Sequence, residues 1–470
     1  MKNRKRSLLP EKLRRRLYDP DQIDWEHLTF SSQQIWKLLI PLMVEQLLTS
    51  FMGMADTMMV SRVGSAAISA VSLTDSINVL VIQLLAALAT GGTIICSQYI
   101  GHKDRKKASD AASQVLLTCT VISVAIGLVC LVFRRQILQL VFGSVEPDVM
   151  RNAVTYFLYT SLSFPFLALF QVGSAFFRAG GNSRLPMTVS VISNVLNIIG
   201  NSIFIFVCHR GVAGAALSTL LSRIFCAVVI LAYLRLPRQI IVVRNYFTKP
   251  RWHLIAKVLA IGVPSGIENS MFQFGKLAIQ STVSTLGTTA IAAQAMTIIL
   301  ENVNGIAGIG VGIGLMTIVG QCIGAGKQEE AKYYIVRLDA ISELMILLSC
   351  VFVYAIARPV VWLAGMETAA ADLCVHMMGF ITVVKPLVWV FSFTTAYGLR
   401  AAGDVRFSMI TSSCTMWLCR VMLSVCLIRF FGCGPIAVWI GMAADWTVRG
   451  IVFTARFLSG RWLRHQVIES

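Results

Sequence analysis

Stretches of about 20 apolar residues, the length an α-helix needs to cross roughly 30 Å of hydrocarbon, follow one another from near Ile40 to near Leu458. Lipid offers no partner to a backbone amide, so segments of this kind fold as helices whose hydrogen bonds stay within the segment. Twelve spans are predicted, over 34–61, 70–98, 113–134, 152–176, 186–208, 212–236, 254–284, 291–320, 333–356, 376–400, 406–429 and 434–458. The same residues exclude a water-soluble fold: 56% of the 470 are hydrophobic and 14% charged, against about a quarter charged in a soluble domain. The expected class is an all-α polytopic membrane protein with the lipid bilayer as its first partner.

A formal charge of +18 raises the question of nucleic acid, but the cations are not gathered on one soluble face. They alternate between spans. Lys2, Arg4, Lys5, Arg6, Lys12, Arg14, Arg15 and Arg16 precede the first, Lys103, Arg105, Lys106 and Lys107 follow the second, and Arg235, Arg238, Arg244, Lys249 and Arg251 lie between the sixth and seventh. Arg456, Arg461 and Arg464 close the chain, while Arg134, Arg135 and Arg151 are the main exceptions to the pattern. The positive-inside rule then puts both termini in the cytoplasm, which requires an even number of crossings. The expected location is the cytoplasmic (plasma) membrane of a prokaryote. No apolar core with a cleavage site stands in the first 30 residues, so that segment reads as a basic stretch lying on the anionic inner surface. No nucleic-acid partner is expected.

Moving the second half back by 223 positions aligns Pro41 with Pro264, Glu45 with Glu268, Phe51 with Phe274, Gly64 with Gly287, Gln98 with Gln321, Gly101 with Gly324 and Ala108 with Ala331. With a shift of 222, Arg178-Ala179-Gly180-Gly181-Asn182 falls on Arg400-Ala401-Ala402-Gly403-Asp404. Two six-helix units of common origin are implied, and an even number of crossings gives both the same orientation, related by an axis along the membrane normal. The expected organisation is a basic segment 1–33, an N-terminal lobe 34–236, a linker 237–253, a C-terminal lobe 254–458 and a tail 459–470, acting as a monomer.

The residues that carry this repeat also carry a resemblance. Pro41 through Asp56, Gly91-Gly92 to Gln98-Tyr99-Ile100-Gly101, Phe177-Arg178-Ala179-Gly180-Gly181-Asn182, Asn197, Gly211-Val212-Ala213-Gly214-Ala215-Ala216 and Leu399-Arg400-Ala401-Ala402-Gly403-Asp404 stand in an order and spacing that resembles the multidrug and toxic compound extrusion (MATE) family over essentially the whole chain. The resemblance implies two pseudo-symmetric six-helix bundles around a cavity that opens alternately to each side. It also implies export of amphipathic, often cationic organic molecules, driven by inward flow of H+ or Na+. A lipid-linked precursor flippase of the same broad fold group is the alternative.

An enzyme is not expected, and no cofactor beyond the coupling ion. Ile323-Gly324-Ala325-Gly326-Lys327-Gln328 lacks both the first glycine and the hydroxyl residue of a phosphate loop. The 12 cysteines are scattered, without a CxxC pair, and read as buried free thiols.

A carboxylate inside hydrocarbon is a functional candidate by default, because it costs at least about 2.5 kcal/mol to place there. Asp56 is the leading one, five residues from the outer end of the first span. Asn197 and Asn201 share one helix face in span five, and Thr219 lies at a similar depth in span six. These four oxygen-bearing side chains suit a monovalent ion or a proton, since low dielectric favours the neutral form of a carboxyl group. The resemblance places its first-lobe cation site on the same four positions. Many relatives carry aspartate where Asn201 stands, which shifts the balance from Na+ towards a single proton. The competing role for Asp56 is an interfacial ion pair with Arg62. Apart from Na+ at Asp56, no metal is expected.

In the second lobe, some family members carry a glutamate and an aspartate where this chain has Phe272 and Trp389. Lys276 and Lys385 stand one turn away from these positions, and Glu301 and Asp445 at comparable depth, so the four charges are expected to form an internal network, functional or structural. Glu45 and Glu268, equivalent in the repeat, are candidates for a proton relay or a structural role. Gly308 with Gly312, and Gly310 with Gly314, predict either close helix packing or a hinge in span eight.

Overall fold

The computed structural model describes residues 11–143, 146–246, 248–465 and 467–468. Lys2, Arg4, Lys5 and Arg6 of the basic segment lie outside the described residues.

Among the described residues there are twelve long helices and no strand: α1 (Ser32–Ser61), α2 (Ser65–Gly101), α3 (Arg105–Val132), α4 (Pro147–Ala179), α5 (Arg184–Asn201, continued by a π-helical turn Ser202–Val207), α6 (Gly211–Leu234), α7 (Trp252–Val283), α8 (Thr288–Gly324), α9 (Gln328–Leu363), α10 (Thr368–Ala401), α11 (Val405–Thr415, a π-helical stretch Met416–Met422, then Leu423–Phe431) and α12 (Ile436–Leu458). Each expected span falls on one of them. Eleven are long and apolar enough to cross a membrane. The other, α7, has the length, at 32 residues, but His253, Lys257, Glu268 and Lys276 interrupt its apolar run. The distribution of polarity is that of a membrane protein: Lys385, Asp445, Arg449 and Asn201 are buried while Leu387, Phe430 and Trp362 are exposed.

Two compact units divide the chain, one of Leu47–Asn269 and the other of the described residues up to Gln46 and from Ser270 onward. α1 and α7 therefore each give one half to each unit. Both carry a proline inside the helix, at Pro41 and Pro264, and both are followed by a glycine with positive φ, Gly64 and Gly287, which opens a helix of 37 residues. A φ of +134° or +96° is strained for a residue with a Cβ, which is why glycine stands at these corners.

Within the first unit, the segment after α6 is tied to α3. The Gln114 amide donates to the Lys249 carbonyl at 3.0 Å and accepts from the Arg251 backbone at 2.9 Å, and the Arg251 guanidinium pairs with Asp110 at 2.9 Å. Pro165 in α4 has no N–H for the Ser161 carbonyl, and Gly127 of α3 comes close to that same oxygen, where a Cβ would stand 3.1 Å from it. Arg134, an exception to the charge pattern, begins a short helix (Arg134–Phe142) and donates to the Leu131 carbonyl of the last turn of α3 at 2.8 Å.

In the second unit, the glycines of α8 face two partners. A methyl group at Gly308 or Gly312 would overlap Trp389 or Tyr397 of α10, and at Gly310 or Gly314 it would overlap Met43 or Leu39 of α1. These positions are close-packing contacts, the first of the two expected roles. The N-terminal segment docks on the start of α9: the Thr29 backbone donates to Glu330 at 2.5 Å, and the Phe30 N–H and C=O both bind the Tyr334 hydroxyl, at 3.0 and 2.7 Å.

Candidate functional site

α5 presents Asn197 and Asn201 one turn apart towards α1 and α6. Gly200 permits this approach, since a Cβ there would overlap Ser218 of α6, and Gly214 of α6 sits against the backbone of Phe204 in the π-helical turn that follows. Single π turns inside α-helices are frequent at functional sites because they re-aim the neighbouring side chains. Here the turn begins directly after Asn201.

The four side chains expected from the sequence meet in one hydrogen-bonded chain. The Asn201 amide donates to Asp56 Oδ1 at 2.7 Å and to Asn197 Oδ1 at 3.2 Å, and the Asn197 amide donates to Thr219 Oγ1 at 3.3 Å. Ser218 Oγ fixes α6 on α5 by donating to the Asn197 carbonyl at 2.8 Å. Asn197 and Asn201 are buried, and Asn201 Oδ1 has no hydrogen-bond partner among the described residues. The alternative partner of Asp56, Arg62, is exposed and forms no ion pair with it.

Three charged or hydroxyl groups that sequence reasoning missed complete the site. Asp75 of α2 accepts from Asn78 at 3.1 Å and is hydrogen-bonded to the Tyr156 hydroxyl of α4. Arg223 of α6 donates to Ser163 at 2.6 Å and lies within electrostatic range of both Asp56 and Asp75. Asp75 and Arg223 lie inside predicted spans, so the rule that singled out Asp56 applied equally to them. Two carboxylates share one guanidinium, leaving one negative charge that a single monovalent cation would balance. Beside Asp56 stands the Asn201 amide, which turns its nitrogen to that carboxylate and to Asn197 Oδ1.

In the second unit the charges grouped from the sequence make two sets of direct ion pairs, with Glu301 also within electrostatic range of Lys276 and Arg420. Lys385, fully buried, pairs with Glu301 Oε1 at 2.5 Å and also donates to the Glu301 carbonyl at 3.2 Å. Asp445, fully buried, pairs instead with Arg420 at 2.9 Å and Arg449 at 2.6 Å. Lys276 makes no ion pair among the described residues; its ammonium stands 6.0 Å from the Phe272 ring centre. The expected four-charge network is thus a Lys385–Glu301 pair and an Arg420–Asp445–Arg449 triad. Two guanidinium groups divide the carboxylate between them, Arg420 of α11 on Oδ2 and Arg449 of the same helix as Asp445 on Oδ1, each through one nitrogen. Arg449 is four residues from Asp445, a spacing visible in the sequence. Phe272 and Trp389 flank these charges, with Trp389 stacked on Phe393 at 4.9 Å. Glu45 and Glu268 are both buried, one in each unit. No group of three or more histidine, cysteine, aspartate or glutamate side chains that could hold a metal ion occurs among the described residues.

Comparison with known proteins agrees with these features. The chain is 27% identical over 444 residues to "Probable multidrug resistance protein NorM" of Thermotoga maritima, spanning 93% of this chain and 94% of the relative. It is 28% identical over 444 residues to "Uncharacterized transporter YisQ" of Bacillus subtilis, spanning 93% and 95%. Among solved structures, a crystal structure of MATE in complex with MaL6 superimposes with a TM-score of 0.85 at 20% identity, over 96% of this chain and 99% of that one, which shows the shared fold. The model of the MatE family matches twice, over residues 41–203 and 264–426. The two matches begin 223 residues apart, the displacement of the internal repeat, and the chain belongs to the MatE family.

Proposed function

We propose that the protein is a secondary active exporter of amphipathic small organic molecules, working by alternating access and exchanging its substrate for H+. Membership of the family and its likeness to a probable multidrug resistance protein support export; the coupling ion follows from the Asp56 site. The observation that carries it is the charge balance there: Asp56 and Asp75 share the single cation Arg223. A proton taken up on Asp56 removes the surplus charge, and its release restores it. Asn201 turns an N–H, not an oxygen, towards Asp56, which subtracts a ligand that Na+ would need at that carboxylate.

Binding and release of that proton change what holds α1 to α5. The charged carboxylate accepts a charge-assisted bond from Asn201, worth about twice a neutral one. The protonated group accepts a weaker bond and can donate its own proton to a neighbouring oxygen, such as the unpartnered Asn201 Oδ1. Two protonation states thus favour two arrangements of the same helices, which is the differential interaction that any coupled conformational change requires.

Everted membrane vesicles test this. Uptake of a fluorescent substrate under an imposed H+ gradient, abolished by a protonophore and by Asp56→Asn but insensitive to a Na+ gradient, is the expected result. Gradient-driven uptake that survives Asp56→Asn overturns the proposed coupling.

A further inference from the structure

One cluster of the second unit, around Phe272, carries the opposite imbalance. Lys276, Arg420 and Arg449 gather there with one acid, Asp445, while Lys385 pairs with Glu301. Glu301 satisfies Lys385. One carboxylate, Asp445, is left for two guanidinium groups, and Lys276 has none. Asp339 and Glu343 of α9 also lie inside this unit, but neither forms an ion pair with these cations, and Asp339 accepts from Thr395 at 2.8 Å.

The surplus converges on one place. The ring centre of Phe272 lies 4.9 Å from the Arg420 guanidinium, 5.2 Å from that of Arg449 and 6.0 Å from the Lys276 ammonium. Arg420 is 3% exposed, and its Nε has no hydrogen-bond partner. Lys276 stands within electrostatic range of Arg420, which repels it, and of Glu301, which attracts it but is already committed to Lys385. A phenyl face attracts cations weakly compared with what burial of like charges opposes. A third negative partner, reaching the free Arg420 Nε and the Lys276 ammonium together, would satisfy both.

We propose that Lys276 and Arg420 form a binding site for an oxyanion, a carboxylate, sulfonate or phosphate group, borne by an amphipathic organic molecule whose apolar body packs on Phe272 and Phe393. The inference deepens the exporter reading and rests on it only for the source of the anion, a transported solute. It gives the substrate a negative group, in contrast to the cationic substrates that family resemblance alone suggests.

The test is the binding of carboxyfluorescein to the purified full-length protein in phosphatidylcholine nanodiscs, read by fluorescence anisotropy. Lys276 is exposed and unpaired, so Lys276→Met leaves the fold intact; it is expected to weaken binding about tenfold, the loss of one charge-assisted contact. Lys276→Arg is expected to retain binding, and the cationic dye rhodamine 6G to be unaffected by Lys276→Met. No binding to the wild type, or equal binding to Lys276→Met, overturns the site. Replacing half the lipid by phosphatidylglycerol separates two sources of the same chemistry: displacement of the dye that depends on Lys276 assigns the oxyanion to a lipid headgroup, and its absence to a free solute, and either result supports the anion site. Failure of the exporter reading is a separate outcome, seen as absent dye uptake in everted vesicles while binding in nanodiscs persists.

Discussion

The side-chain amide of Asn201 reaches the carboxylate of Asp56 at 2.7 Å, joining α5 to α1 through a neutral donor at a position where a second acid would repel. A lone carboxylate with an amide donor suits one proton. Two carboxylates at that separation would hold their joint charge only with a cation between them.

Asn201→Asp is therefore expected to make transport depend on Na+. In everted vesicles an imposed Na+ gradient should drive uptake by Asn201→Asp and not by the parent chain. Unchanged indifference to Na+ would show that the identity of residue 201 does not select the ion.

Lys385, fully buried, and Glu301, 14% exposed, form a pair at 2.5 Å. Breaking such a pair from one side leaves a buried charge and costs about 3–5 kcal/mol, whereas removing both partners is far milder. Lys385→Met should lower the thermal midpoint in detergent sharply, and Lys385→Met with Glu301→Gln should recover more than half of the loss. Equal destabilisation of the single and double variants would refute the pairing as the cause.

Gly312 lies against the Tyr397 ring. Gly312→Ala is expected to destabilise the protein by about 1–3 kcal/mol, as overpacking does, and Tyr397→Leu in the same chain to restore most of it together with transport. Restored stability without transport would instead assign Gly312 a bending role.

Asp104 caps α3, accepting the Lys107 backbone N–H at 2.8 Å. That bond, aided by the Lys107 charge, holds its carboxyl below the usual aspartate range. A depressed value in the folded state means stability that is present above the unfolded value, about 3.9, and lost as pH falls through the folded one. Asp104→Ala should thus lower the thermal midpoint at pH 7, with the difference from the parent closing as the pH is taken below about 4. The repeat places Lys327 at the corresponding corner, without a side-chain cap.

Much of the architecture is legible in the chain because lipid simplifies the physics. Apolar runs of sufficient length leave the backbone one way to satisfy itself, and the offset of 223 recurs in both family matches. Pro41 and Pro264 stand inside the equivalent helices α1 and α7, and Gly64 and Gly287 mark the same corner after each. The cluster of Asp56, Asn197, Asn201 and Thr219 was readable because each residue departs from its apolar surroundings at one common depth. Asp75 and Arg223 carried the same signal but have no neighbour in sequence that points to Asp56. Their grouping depends on how α2, α4 and α6 rotate against one another, which apolar spans facing both lipid and protein do not encode.

The sequence by itself determined the number and order of the helices and the duplication, because each follows from local composition against a solvent that forms no hydrogen bonds; the helices run beyond the apolar spans at their ends. Only the tertiary structure decided the partners: Glu301 with Lys385, Asp445 with Arg420 and Arg449, and Lys276 with no acid. Burial makes every charge seek an opposite one, but which one it meets is set by helix rotation and side-chain reach over a few ångströms, a scale that spacing along the chain does not resolve.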